Sequence, residues 1–494
     1  MNFTDPIFFC FLLACFLLYY VLPLGVRYLV LLAGSLFFYF TWDADKLCLT
    51  VAAGLLGYAA GLLIERRQIA GKQKNMPKEK IRASKRVIFF PAVIALIAYW
   101  VLTKTAGMPV IIPVGISYYT LSVIGYLADV YYAKIPAERN VLTFLSFVLW
   151  FPKLLQGPIE DFKKIRTSLR EGARFDFKSI TFGVQLLFYG LFKKLVIADR
   201  LSVFLAGVFA DTGQTAGVFL LLGFVFRALQ LYFDFSGYMD IAEGISEMFG
   251  VHMSPNFRRP FFSQSAAEFW RRWHISLGVW FRNYVYMPLS VSPAVMRLAR
   301  AAREKSGKRT ARNVQTAIPL MTVWILTGLW HGTGAGYVIW GLYWGVMIVL
   351  SGIFAPEQKK LADMLKIDTE GNIWKHIRMY RTFVLFVIGR WLTMDHPLTA
   401  LREMLRHFDI GRLFDGKSLY AYGVCEKDFR LMALAVLAVW LISRAQEKGS
   451  VREKTAALPL PLRWALYYGL IFAVLIFGMY GPGYNAAAFV YMQY

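Results

Sequence analysis

Cysteine and histidine are both scarce in this 494-residue chain, with four of the first and six of the second. Cys10, Cys15, Cys48 and Cys425 form no CxxC pair, so neither a disulfide framework nor a zinc site is implied. They read as small apolar core residues, and no metal site is expected. Acidic residues are also few, 31 against 55 Lys and Arg, which leaves a net charge of +24. In a soluble protein that excess would point to nucleic acid. Here the basic residues fall in short runs between apolar segments, with no basic face outside them, so nucleic acid is not an expected partner. The chain contains no HExxH, EF-hand loop, Walker A or GxSxG elbow. It has no internal repeat, which weakens a secondary-transporter reading. Gly332-Thr-Gly334-Ala-Gly336 follows an apolar helix rather than a strand and lacks the full GxGxxG, so it is not read as a nucleotide loop.

Apolar residues are plentiful. They make up 57% of the chain without counting glycine, and there are 14 Trp, 27 Tyr and 41 Phe. A soluble domain of this size has too little interior for that load, whereas aromatic residues suit bilayer interfaces and close helix packing. A spanning helix needs roughly 20 apolar residues to cross a hydrocarbon core about 30 Å thick. Candidates are 7–22, 26–42, 47–64, 87–103, 111–132, 180–198, 216–233, 314–331, 336–354, 381–394, 430–444 and 463–480. Residues 141–155 are apolar but short, as in a re-entrant or tilted segment. The expectation is an all-α polytopic membrane protein with about 11–13 membrane helices. The first run carries no basic n-region, so residues 7–22 are expected to be a retained span rather than a cleaved signal. Gly57 and Gly61 form a GxxxG inside a span, expected to mark a close helix contact.

The basic runs at 66–86 and 297–312, and more weakly at 163–178, read as cytoplasmic loops. That places the N-terminus outside. Anionic lipid headgroups are their expected partners.

Three stretches can carry chemistry. His331 ends the apolar run Ile318-Pro-Leu-Met-Thr-Val-Trp-Ile-Leu-Thr-Gly-Leu-Trp330, and ionisable groups at such depth are functional candidates. Burial favours the uncharged ring, which can accept a proton from a hydroxyl. The competing reading is a histidine that joins helices by a hydrogen bond. The stretch Ala266–Tyr284, read as one helix, puts Phe269, Trp273, Leu277, Trp280 and Tyr284 on one face and Arg271, His274 and Arg282 on the other. It is too charged to span; it suits an interface or an aqueous cavity, and its arginines suit an anionic donor. A lipid-headgroup anchor is the alternative. The third stretch runs from Tyr232 to Gly244. There Asp234, Asp240 and Glu243 read as structural partners of Arg258, Arg259 or Arg271, because unpaired charge in lipid is costly. His252, His376, His396 and His407 read as surface residues.

Asn256-Phe-Arg-Arg-Pro260, Phe269-Trp-Arg-Arg-Trp-His274-Ile-Ser-Leu, Trp280-Phe-Arg282-Asn-Tyr284 and Gly328-Leu-Trp330-His331-Gly332 resemble the membrane-bound O-acyltransferase (MBOAT) family. Within it the chain is most similar to the bacterial alginate O-acetyltransferase (AlgI-like) group. Supporting matches are Pro113-Val-Gly-Ile-Ser117, Phe151-Pro-Lys with Gly157-Pro-Ile159, Phe192-Lys-Lys194 through Asp199, Asp234-Phe-Ser-Gly237, and the terminal Phe489–Tyr494. The resemblance implies a single MBOAT domain over 1–494, comprising N-terminal spans (1–105), a catalytic core region (106–355) and C-terminal spans (356–494). It implies a helical barrel with re-entrant or interfacial helices and a central funnel or tunnel. His331 and His274 would be the two family histidines. Arg271, Arg272, Arg282, Asn283 and Trp330 become donor-binding candidates. The implied reaction moves an acyl group from a cytoplasmic thioester, acetyl-CoA foremost, with no bound cofactor. The acceptor would be an extracytoplasmic polysaccharide, reached through a separate acetyltransferase partner, at the bacterial inner membrane. D-alanyl transfer towards teichoic acid is the alternative within the family; a non-catalytic transporter or scaffold is the alternative outside it. Where many relatives carry a further histidine, this chain has Trp344.

Overall fold

The structure is a computed structural model that describes residues 1–105 and 112–480. The Phe489–Tyr494 match lies outside those residues. Among the described residues all regular structure is helical, apart from one isolated bridge between Phe257 and Trp273. The protein is an all-α, multi-pass membrane protein. Among the described residues, six helical segments are long and apolar enough to cross a bilayer: Leu24–Gln73, Lys78–Thr105, Phe177–Ala210, Gly217–Met248, Ala335–Ile353 and Leu460–Phe477. Within the described residues, which exclude the start of the expected span 111–132, the other expected spans are largely helical too, but they are shorter, as Pro6–Val21 is, or carry polar stretches, as Pro293–His331 does.

The chain divides into two compact units. One comprises Met1–Phe188 with Met239–Pro255, the other Tyr189–Tyr238 with Asn256–Tyr494. In the first, the GxxxG expectation is met. A Cβ at Gly57 would collide with Val123, and one at Gly61 would sit 2.6 Å from the Tyr126 hydroxyl, so the helices Leu47–Gln73 and Ile116–Tyr131 touch through these glycines. The short apolar stretch 141–155 forms two helices, Val141–Leu149 and Phe151–Leu154, which part at Trp150. Asn140 caps the first by accepting from the N–H groups of Leu142 (2.9 Å) and Thr143 (3.1 Å). Two buried carboxylates in this unit have named partners. Glu138 pairs with Arg166 at 2.5 Å, and Glu160 accepts from Ser254 N at 2.6 Å and Ser254 Oγ at 3.1 Å.

In the second unit the helix Pro293–His331 leads to the site. Ser292 caps it and Pro293 occupies its first turn. The basic run 297–312, expected as a loop, is helical on both sides of a break at Gly307 (φ 84°). Ala, Arg, Lys and Glu are strong helix formers, so the run ends only at its glycine. A tight turn then reverses the chain into Ala335–Ile353. The two helices cross where side chains vanish: a Cβ at Gly341 would strike the Trp324 carbonyl oxygen, and one at Gly328 the Tyr337 carbonyl oxygen. The glycines of the Gly328–Gly332 motif are therefore steric requirements that set where His331 stands.

None of the four cysteines is in the core. Cys10, Cys48 and Cys425 are exposed and Cys15 is partly buried, all as free thiols. For Cys10 and Cys15, on the apolar helix Pro6–Val21, the cause is the solvent, since lipid rather than water meets such a face; Cys425 stands at the N-cap of Glu426–Gln446.

Candidate active site

The expected single helix over Ala266–Tyr284 is broken. Ala266–Arg272 and Ile275–Phe281 are separate helices, followed by a π-turn at Arg282–Tyr286. Ser265 opens the first by accepting from Glu268 N at 3.2 Å, and the Glu268 carboxylate accepts from Gln264 N at 2.9 Å. The break lies at Trp273 and His274, and His274 takes a left-handed conformation (φ 47°, ψ 51°). That backbone costs a non-glycine residue about 1–2 kcal/mol. It is held by a segment distant in sequence. Arg258 N donates to Arg272 O at 2.9 Å, Ile275 N to Asn256 O at 3.0 Å, and Phe257 bridges to Trp273. The kink turns His274 from the expected polar face to the interior, where it is 3% exposed.

The Asn256 side chain fixes the imidazole. Its Oδ1 accepts from Ser276 N at 3.0 Å and Ser276 Oγ at 2.9 Å, and His274 Nδ1 lies 3.3 Å away. Because a backbone N–H already identifies that atom as the oxygen, Nδ1 is the protonated nitrogen of His274 and Nε2 the acceptor. The residue lies outside the membrane-spanning helices, and burial pushes its pKa down to about 3, so the ring is neutral at pH 7.

His331, 8% exposed, ends the long helix. Its ring centroid is 6.3 Å from that of His274. Trp330 packs against both, at 4.8 Å from His331 and 5.7 Å from His274, and Trp340 closes the other side of His331 at 5.1 Å. Trp344, at the place of the further histidine of many relatives, is fully buried and packs on Trp270 and Phe269.

Both histidines line one cavity of about 690 Å³. Exposed Arg271 and Arg282 line it as well, with Tyr286 and Thr327. Its wall therefore runs from accessible positive charge to two buried imidazoles, an arrangement suited to a long ligand with an anionic end. The other donor candidates stand elsewhere. Arg272 is held by Glu268 (2.8 Å) and Glu447 (3.5 Å), Asn283 is exposed off the cavity wall, and Trp330 supports the histidines from behind. Sequence reasoning missed Asn256, Thr327 and Tyr286. Asn256 stands within a matched motif, but its role depends on a contact with residue 274.

The carboxylates need one correction. Asp234 pairs with Lys194 at 2.7 Å, a partner outside the three arginines expected for it, and Lys194 also reaches Asp199 at 3.0 Å. Two adjacent lysines in an apolar run are the signal in the sequence that could have pointed to this pairing. Asp240 and Glu243 lie farther along Gly217–Met248 and are half-buried. His252, His376, His396 and His407 are exposed, as expected. Among the described residues no group of His, Cys, Asp and Glu is placed to hold a metal.

Comparison with known proteins gives one family match and three relatives. The sequence model of the membrane-bound O-acyltransferase family matches residues 78–299. A Pseudomonas fluorescens protein named "Probable alginate O-acetylase AlgI" is 32% identical over 396 residues, covering 79% of this chain and 72% of that protein. A peptidoglycan O-acetyltransferase of Helicobacter pylori is 28% identical over 402 residues (73% and 72%), and a teichoic acid D-alanyltransferase of Bacillus subtilis is 28% identical over 250 residues (50% and 60%).

Proposed function

We propose, from the premise that this chain belongs to the membrane-bound O-acyltransferase family, that it moves an acetyl group from a cytoplasmic thioester across the membrane, by way of an acceptor hydroxyl, for O-acetylation of an extracytoplasmic polysaccharide. That it is a membrane O-acyltransferase follows from the family and its O-acetyltransferase relatives. The finer reading rests on one observation above all: two buried imidazoles, 6.3 Å apart, share a cavity with two exposed arginines.

The donor is a thioester with an anionic carrier, acetyl-CoA. Arg271 and Arg282 hold its phosphates and the acyl end reaches His331. His331 takes the proton of the acceptor hydroxyl, a contribution typically worth about 10²–10⁴ in rate. His274, neutral and fixed by Asn256, completes the catalytic pair by shaping the space around the thioester. The basic segments at 66–86 and 297–312 face the cytoplasm, where the donor is made, and the membrane is the bacterial inner membrane. A separate extracytoplasmic acetyltransferase passes the acetyl group to the polymer. The relatives acting on alginate and peptidoglycan cover more of this chain than the D-alanyltransferase does, which favours acetyl over D-alanyl.

The test uses purified protein in liposomes, given radiolabelled acetyl-CoA or, separately, a D-alanyl carrier protein. Acetyl label should reach a hydroxyl acceptor, and His331→Ala should abolish that transfer while the protein stays folded. Label from the D-alanyl carrier alone would replace acetyl with D-alanyl. Transfer from neither donor would reject the reading.

A further inference from the structure

His331 borders a second and far smaller space. This chamber of about 20 Å³ has room for a water-sized polar group but not for a sugar. Its wall includes Trp270, Trp340, Phe386 and Thr393, and one charged side chain, Arg390. Arg390 stands in the last turn of Asn372–Trp391 and is 8% exposed. Buried guanidinium groups normally meet a carboxylate or several carbonyls. Among the described residues, neither the Nε–H of Arg390 nor the buried indole Nε1–H of Trp270 meets an acceptor. Two buried donors therefore sit on side chains that border, with the imidazole, a space able to take a small acceptor group.

We infer that Arg390, assisted by Trp270, holds the carbonyl oxygen of the thioester as that oxygen takes up negative charge. The inference rests on the acyl-transfer reading above. The acceptor hydroxyl oxygen attacks the carbonyl carbon, its proton passes to His331, and the carbonyl π pair moves onto the oxygen in the small chamber. The tetrahedral centre then collapses. The carbon–oxygen double bond reforms, the carbon–sulfur bond breaks, and the thiolate leaves with the proton from His331. One ester and one thiol result. A fixed positive charge in a small, largely aromatic-walled chamber acts strongly on an oxygen that is neutral in the ground state and negative in the transition state. The large cavity binds the donor, so the two spaces divide binding from transition-state stabilisation.

The experiment compares wild type, Arg390→Met, Arg390→Lys and Trp270→Phe in liposomes, measuring kcat and donor KM with labelled acetyl-CoA. Arg390→Met should lower kcat about 10²–10³-fold with donor KM nearly unchanged, and added guanidinium ion should restore part of the rate. Trp270→Phe should lose less. If Arg390→Met fails to fold, Arg390→Lys carries the test: a lowered kcat at wild-type KM and wild-type thermal stability supports the role. Retention of kcat within about threefold, or a loss confined to KM, overturns it. If wild type turns over and the Arg390 variants match it, only this inference falls. If wild type transfers neither acetyl nor D-alanyl, the functional reading falls and this inference with it.

Discussion

Replacing Gly341 by alanine tests whether the position of His331 is set by helix contact. The added Cβ would point at the carbonyl oxygen of Trp324, well inside the 3.0 Å that real Cβ contacts keep, and the next atoms are the Trp324 carbonyl carbon at 3.3 Å and Gly328 Cα at 3.4 Å. All three belong to backbone, so no side chain can swing away. The helices Pro293–His331 and Ala335–Ile353 must separate by more than about 0.5 Å, and overpacking of this kind costs about 1–3 kcal/mol. Trp340, adjacent in sequence, packs 5.1 Å from His331, so the shift passes directly to the imidazole. Misplacement of a reacting group by about 1 Å can cost about 10² in rate, so kcat should fall about ten- to a hundredfold. Gly352→Ala is the control. It lies on the same helix, and a Cβ there would meet nothing within 4 Å. The assay is acetyl transfer alongside thermal unfolding of detergent-solubilised protein. Wild-type kcat and stability for Gly341→Ala would refute the steric reasoning, as would equal damage from Gly352→Ala.

Other expectations follow from the same geometry. Lys194→Met leaves Asp199 and Asp234 buried without their shared cation and should destabilise the protein by about 3–5 kcal/mol, read as a lowered unfolding midpoint; Lys194→Met with Asp234→Asn should recover part of the loss. His274 has its folded pKa at about 3, below its ordinary 6.5, so the unfolded chain binds the extra proton between those values. Stability from this group is therefore complete above about pH 6.5 and is lost as pH falls towards 3, by at most about 1.4 kcal/mol per pH unit. The unfolding midpoint should drop more steeply below pH 6.5 in wild type than in His274→Asn; equal slopes would contradict the burial argument. Arg271→Ser and Arg282→Ser should each raise donor KM about fivefold, with kcat unchanged and the effect shrinking in high salt.

The membrane class and the helices at the expected spans were legible because lipid imposes length and apolarity on each helix separately. The Gly57–Gly61 contact was legible for a similar reason, since small residues four apart on one helix already describe a face. Both histidines were legible as candidates, His331 from its depth and His274 from its motif. What stayed hidden depended on partners far along the chain. The helical pattern of Ala266–Tyr284 is real, yet Asn256 and Arg258 bond across it and force the break at His274. Likewise nothing local in the run around Asp234 shows that Lys194 will be its partner. The basic run 297–312 was misread because its charge suggested a loop while its alanines, arginines and lysines favoured a helix.

The most direct measurement is single-turnover acyl transfer from labelled acetyl-CoA in sealed liposomes, with the acceptor confined to the opposite side from the donor. If His331 is the base at the meeting point of donor and hydroxyl, wild type will deliver label to the far side. His331→Ala will bind donor with wild-type affinity and deliver none. Full delivery by His331→Ala, or label that reaches only acceptors on the donor's own side, would contradict it.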